Sequence, residues 1–316
     1  IRDQPRSRGL GDVYKRQMGH IITDLKEAFR RGNVYIQLIF INVGVFVITT
    51  LIGILLQLFN RSAAGIFELL ALPASFTRFA WQPWSIFTYM FMHAGFLHIL
   101  FNMLWLYWFG ALFLYFFSGK HLRGLYIVGG ICGGLLYMIS YNVFPYFRPM
   151  TAYSTMVGAS ASVLAIVVAT AYREPNYPVR LLFFGNVRLK YLALIVVLTD
   201  LLFITSSNAG GHIAHLGGAL AGLWFAASLN KGKDITSWVN KALDAIAALF
   251  SAKTWKRKPK MKVHYGNNTR QNDYDYNARK KAQSDEIDRI LDKLKKSGYE
   301  SLTTEEKKSL FDASKR

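Results

Sequence analysis

The chain has 316 residues, 52% of them hydrophobic and 15% aromatic, and yet carries a formal net charge of +19. Its mean hydropathy is +0.19, and its Lys and Arg are kept out of long apolar windows instead of being spread over polar faces. That pattern describes a membrane protein with basic extramembrane parts and excludes a soluble nucleic-acid binder.

In chain order, residues 1–17 lack apolar periodicity and precede Met18, so they read as appended or read-through sequence outside the fold, with 18–33 as a cytoplasmic N-terminal segment. Six windows are apolar enough to cross a bilayer: about 34–59, 97–117, 124–144, 157–172, 191–206 and 209–229. The first spans without a small-residue cleavage site close behind it, which argues against a secretory signal. A spanning helix needs about 20 residues, so the fourth and fifth windows imply local thinning or ends that continue into a protein-lined cavity. Residues 60–96 are rich in aromatic side chains, among them Trp81 and Trp84, and suit the membrane interface. The one cysteine, Cys132, excludes an intrachain disulfide framework; in its Gly-rich run it reads as a packing residue, as do Gly129, Gly130, Gly133 and Gly134.

Cationic residues set the orientation. Lys26, Arg30 and Arg31 precede the first window, Lys120 and Arg123 follow the second, and Arg173, Arg180, Arg188 and Lys190 follow the fourth. The opposite loops hold Arg61, Arg78 and Arg148, so the positive-inside rule puts both termini in the cytoplasm around a membrane domain at 34–230. Residues 231–252 then read as an amphipathic helix on the inner surface, with Trp238, Val239, Leu243 and Ile246 on one face and Ser237, Asn240, Lys241 and Asp244 on the other. The linker, 253–283, opens with a polybasic stretch that reads equally as a contact for anionic lipid or as a solvated linker, and ends in a polar, disordered run. In 284–316, Ile287, Ile290, Leu291 and Leu294 form a stripe ending near Gly298, and Thr303 and Glu306 have capping-box spacing, which predicts a small helical hairpin. This tail is similar to short helical tails that follow membrane domains in some bacterial proteins.

Polar groups inside a bilayer are costly and mark function. The topology puts Ser160 near the outer end of the fourth window and His215 about one turn into the sixth. His98 and Asn102, spaced i, i+4 at the start of the second, share a face at the same depth. A serine hydroxyl becomes a nucleophile when a base takes its proton, and a neutral imidazole suits that task near pH 7. Ser160 and His215 can fill those roles, with the Ser160 amide, His98 and Asn102 as donors to an oxyanion. Gly158, Ala161, Gly218 and Gly222 let the two helices approach closely.

These residues resemble the rhomboid family of intramembrane serine proteases. Pro83–Gly110 (PWSIFTYMFMHAGFLHILFNMLWLYWFG) looks like the family's loop and second helix, with its HxxxN pair at His98 and Asn102. Gly158, Ser160 and Ala161 match GxSx, commonly GASG, and Ala214–Gly222 (AHLGGALAG) matches HxxGxxxG, which selects His215 over His212. The resemblance covers about residues 34–229. It implies an all-α bundle of six membrane helices around a water-accessible cavity and hydrolysis of peptide bonds in or near transmembrane segments of protein substrates. It also implies a Ser-His dyad without an acid and no metal or organic cofactor; the chain likewise lacks a zinc signature such as HExxH. A small residue before the scissile bond and a locally unstable substrate helix are further family preferences.

Three departures from the pattern stand out: Ala161 replaces the glycine after the nucleophile, Phe113 stands where many members carry glutamate, and Leu164 replaces an aromatic that in some members stacks on the histidine. A missing loop interaction and a looser imidazole are the expected costs of the last two. Asp200 reads either as an orienter of His215 or a gate contact, or as a carboxylate paired at the wet end of its helix, and the implied dyad favours the second; His93 and His212 read as residues that face water or bind backbone. The alternative function is an inactive relative that binds transmembrane clients. A transporter would show internal repeats, and the sequence has none.

Overall fold

A computed structural model describes residue 29 and residues 32–181, 185–250 and 269–314. The readings of residues 1–17, of most of 18–33 and of the polybasic stretch at 253–262 lie outside the described residues. The chain forms two compact units, divided between Ser251 and Ala252.

The first unit opens with α1 (Val34–Leu58). Its best window has a hydropathy of 2.6, and Leu51, Leu55 and Leu58 are more than half exposed, an arrangement suited to lipid and not to water. The aromatic segment that follows folds into short helices, α2 (Ala64–Leu70), α3 (Phe76–Trp81) and α4 (Ser85–Thr88), ending in a 3-10 turn at Tyr89–Phe91. Then come α5 (Phe96–Phe116), α6 (Gly119–Val143), α7 (Ser160–Arg173), α8 (Leu189–Leu202) and α9 (Ala209–Asn230). Four of these, α1, α5, α6 and α9, are long and apolar enough to cross a membrane. By contrast α7 and α8 have 14 residues each, short of the roughly 20 that a span needs, so helix length alone does not yield the expected six.

The shortness of α7 has a structural counterpart. Its residues Ala161 to Val167 are all buried, so protein surrounds the first two turns of the helix on every side and that end need not reach lipid. Among the described residues two antiparallel pairs interrupt the helical chain, a feature that helical periodicity does not predict. β1 (Leu72–Pro73) pairs with β2 (Thr155–Met156), Leu72 opposite Met156, and β3 (Pro178–Leu181) pairs with β4 (Gly185–Arg188), Val179 opposite Val187.

Polar groups of α6 tie the aromatic loop down. Tyr126 Oη donates to Met90 O at 2.9 Å, Asn142 Nδ2 to Ala74 O at 2.8 Å, and Tyr89 Oη to Gly130 O. Tyr126 also accepts from Asn42 of α1 at 3.0 Å, so one buried hydroxyl links two helices and the loop. Trp81, Trp84 and Phe87 remain exposed around this anchored frame, as aromatic groups at a membrane interface would be.

Glycine sets the central packing. A Cβ on Gly218 would overlap the carbonyl oxygen of Ala161, and one on Gly222 that of Ala165, so α9 lies directly on the backbone of α7. The third helix joins on the same terms: a Cβ at Gly129 would come within 2.5 Å of Ala165 Cβ, and one at Gly133 within 2.6 Å of Ala161 Cβ. Gly133 thereby leaves room for the methyl of Ala161.

After α9, α10 (Ser237–Phe250) docks on the start of α6. Asn240, expected on the solvated face, is instead 7% exposed: it accepts from Arg123 Nε and Nη2 at 3.1 and 2.9 Å and donates to Lys120 O. Gly124 leaves the space that Thr236 fills. Hydrogen bonding to the basic end of α6 overrides the helical-wheel reading here.

The second unit contains α11 (Thr269–Ser297) and α12 (Thr304–Ser314). The first of these begins inside the segment read as disordered linker, which corrects that boundary. Its sequence there, TRQNDYDYNARKK, is polar throughout but holds no Gly or Pro to break a helix. Gly298, at φ 75°, ends it in the left-handed region, and the capping box forms as its spacing predicts: Thr303 N donates to Glu306 Oε2 at 2.8 Å and Glu306 N to Thr303 Oγ1 at 3.3 Å. Lys293, 2.8 Å from Glu306, together with the Thr303 amide, holds that carboxyl below its ordinary range.

Replacing Gly218 by leucine forces α9 off α7. Thermal unfolding of the purified protein in detergent is expected to show a loss of at least about 3 kcal/mol, the upper end for overpacked cores, whereas Gly65→Ala, where nothing lies within 4 Å of the new Cβ, leaves stability within about 0.5 kcal/mol.

Candidate active site

Ser160 is the first residue of α7, after Ala159. The first intrahelical bond runs from Val163 N to Ala159 O, so the amides of Ser160, Ala161 and Ser162 have no acceptor within the helix and point their partial positive charge at the Ser160 side. The turn into the helix depends on Gly158, whose φ of 136° only glycine adopts readily. The amide of Gly158 donates to Tyr89 O at 2.9 Å, so the anchored loop holds this turn in place.

His98 lies beside the same turn. A Cβ at Gly158 would sit 3.0 Å from His98 Nε2 and 3.6 Å from Ser160 Oγ, so the imidazole and the hydroxyl flank one small space that glycine keeps open. Ala94 N donates to His98 Nδ1 at 3.4 Å, which leaves the proton on Nε2, the nitrogen facing that space. Asn102, one turn on, gives one amide hydrogen to His98 O at 2.8 Å and keeps its second. Both residues are therefore in the state that an oxyanion donor requires.

Ser160, His215, His98 and Asn102 all line one cavity of about 470 Å³, bounded as well by Tyr141 and by the start of α9. A smaller pocket of about 190 Å³ adjoins it, lined by Ser160, Asn102, His215, Trp105, Leu164 and Val196. Among the described residues no hydrogen bond joins Ser160 Oγ to the His215 ring.

The His215 ring is instead fixed from its other side. Asp200 is 4% exposed, and its Oδ1 accepts from His215 Nδ1 and from His212 Nδ1, each at 2.8 Å. The carboxylate is thus paired, as the sequence suggests, but one of its partners is the candidate base itself, and it is buried rather than at a wet helix end. With Nδ1 protonated and donating, His215 carries its lone pair on Nε2. The sequence offers Asp200 as an orienter of His215 but favours a carboxylate paired elsewhere, and it does not give His212 as the second partner; the members are 12 and 15 positions apart, and the signal available was His212 and His215 at i, i+3, on one face of α9. The three ligand atoms lie within 4.8 Å of one another, a set that could also hold a metal ion, although both nitrogens already serve as hydrogen-bond donors.

The remaining departures find their places. Phe113 is fully buried, stacked on Phe117 with centroids 4.4 Å apart, and both rings pack on Phe225 of α9. Ring packing between α5 and α9 occupies the position where a carboxylate would have bonded a loop. His93, expected to face water or bind backbone, does not face water: it is 3% exposed and stands edge-on to His98 with ring centroids 5.1 Å apart.

Residues 80–231 match the Rhomboid domain family, and residues 271–316 match a family of unknown function, DUF6576. The chain is similar to RHOMBOID-like protein 12, mitochondrial, of Arabidopsis thaliana, with 29% identity over 158 residues, 47% of each protein. It therefore spans about half the length of that curated relative.

Burial, and then the neighbouring His98, push the His93 ring down from 6.5 to about 4. The unfolded chain takes up this proton first as pH falls, so folding stability held above pH 6.5 is lost towards pH 4, by roughly 1–3 kcal/mol. His93→Leu should flatten that acid-side decline in thermal unfolding measured between pH 7 and pH 4.

Proposed function

We propose, from the match of residues 80–231 to the Rhomboid domain family, that this chain is a rhomboid-family intramembrane serine endopeptidase that hydrolyses peptide bonds in or near the transmembrane segments of other membrane proteins. The observation that carries this reading is the convergence of Ser160, His215, His98 and Asn102 on one cavity at the N-terminus of a buried helix.

In the proposed reaction Ser160 Oγ attacks the substrate carbonyl carbon and passes its proton to His215 Nε2. The oxyanion that forms accepts from the Ser160 amide, His98 Nε2–H and the free amide hydrogen of Asn102. Collapse breaks the C–N bond, and His215 returns the proton to the leaving amine. Water then attacks the acyl-serine ester with His215 again as base, which releases the second product and regenerates Ser160. None of these steps requires an organic cofactor or a metal.

With α7 and α8 counted as spans the domain crosses the membrane six times, both termini lie in the cytoplasm as the distribution of Lys and Arg favours, and the membrane is a bacterial inner membrane. The basic tail then faces anionic lipid.

A second reading is favoured by the missing Ser160–His215 hydrogen bond: an inactive relative that binds transmembrane clients without cutting them. Under the protease reading the gap closes on binding, since catalytic hydrogen bonds often tighten only in the substrate complex. A fluorophosphonate separates the two readings. The full-length protein in detergent is expected to be labelled and Ser160→Ala not; equal labelling of the two leaves only the binding role. Turnover of a transmembrane reporter should fall by about 10²–10³-fold in His98→Ala and in Asn102→Ala, the usual cost of one oxyanion donor.

A further inference from the structure

The geometry points to Asp200 as a positioning residue for His215, turning the expected pair into a three-membered chain of hydroxyl, imidazole and carboxylate. The inference rests on the protease reading above and adds a residue to that site.

Asp200 is on α8 and His215 on α9, so their 2.8 Å hydrogen bond joins two helices at the cavity wall. An imidazole with its Nδ1–H held by a fixed acceptor has one tautomer and one ring plane, and its only lone pair is on Nε2, the atom that must take the serine proton. Without that acceptor the proton can sit on either nitrogen, and a ring with Nε2–H cannot act as the base. His212, three residues before His215, donates to the same oxygen at 2.8 Å and so braces the carboxylate from a second direction.

The way Asp200 is buried argues against a purely structural role. Among the described residues it meets no Lys or Arg within ion-pair distance; its contacts are the two histidines, and Oδ2 is buried without a partner. A buried carboxylate that lacks a cation is a poor source of stability, since its lost hydration is not repaid by a salt bridge. It becomes useful when a neighbouring group acquires positive charge, and His215 does so each time it accepts the Ser160 proton. A negative oxygen already bonded to Nδ1–H stabilises that imidazolium without any movement at the moment of reaction.

The test is saturation labelling of the full-length protein by a fluorophosphonate, which separates the maximal inactivation rate from the concentration that gives half of it. In Asp200→Asn the maximal rate is expected to fall by about 10²- to 10⁴-fold, the range spanned by losing one donor and by the wrong tautomer in a serine triad, while the half-saturating concentration stays within about threefold and thermal unfolding keeps its midpoint. A merely structural role would move the midpoint and leave the rate of the folded fraction unchanged. Asp200→Ser, smaller and equally uncharged, is the second variant should the asparagine protein not fold. Either folded variant labelling at the wild-type maximal rate overturns the assignment. Failure of the wild-type protein to label at Ser160 is a different result: it removes the protease reading and this inference with it.

Discussion

The backbone of α9 rests on the backbone of α7, and the site depends on that contact. Where Gly218 and Gly222 meet the carbonyls of Ala161 and Ala165, no side chain separates the two helices. Ser160 starts one of them and His215 sits on the other just before Gly218, so the glycine contact brings hydroxyl and imidazole to one cavity. In lipid, where the hydrophobic effect gives helices little reason to associate, close van der Waals approach across small residues is the available force. Gly129 and Gly133 of α6 extend the same packing to a third helix, and α7 ends up enclosed.

That rigid centre is paired with a loop that is itself unusually fixed. The short helices between α1 and α5 are held from below by Tyr126 and Asn142, and in return Tyr89 O holds the Gly158 amide, so the loop and the serine turn share one hydrogen-bonded frame. The electrostatics follow from this placement: the free helix-start amides and the His98 Nε2 lie beside the Ser160 turn, and Asn102 lines the same cavity. Opposite them, Asp200 holds His215 by Nδ1. Hydrogen-bond donors and a carboxylate-held imidazole therefore border the same cavity, the arrangement that the proposed reaction would use.

The departures from the family pattern become intelligible through neighbours. The methyl that Ala161 adds is taken up by Gly133, and the ring of Phe113 joins Phe117 and Phe225 to bind α5 to α9. In both places apolar contact fills the position with a partner that is remote in sequence.

The sequence by itself determined the apolar helices, to within a residue for three of them and to within five for the rest, because hydropathy depends on composition over a window; it also determined the helix-packing glycines, the Thr303–Glu306 cap, and Ser160, His215, His98 and Asn102 as polar residues that the fold brings to one cavity. Each of these is a local pattern or a count. Only the tertiary structure decided what faces what: that Asn240 turns inward to Arg123, that His93 is buried against His98, that β1 pairs with β2, and that Asp200 reaches both histidines of α9. Those relations depend on the packing of separate helices and loops, which no spacing along one segment encodes, and so the choice between Asp200 as partner of His215 and Asp200 as a carboxylate paired elsewhere was made only once α8 and α9 were side by side.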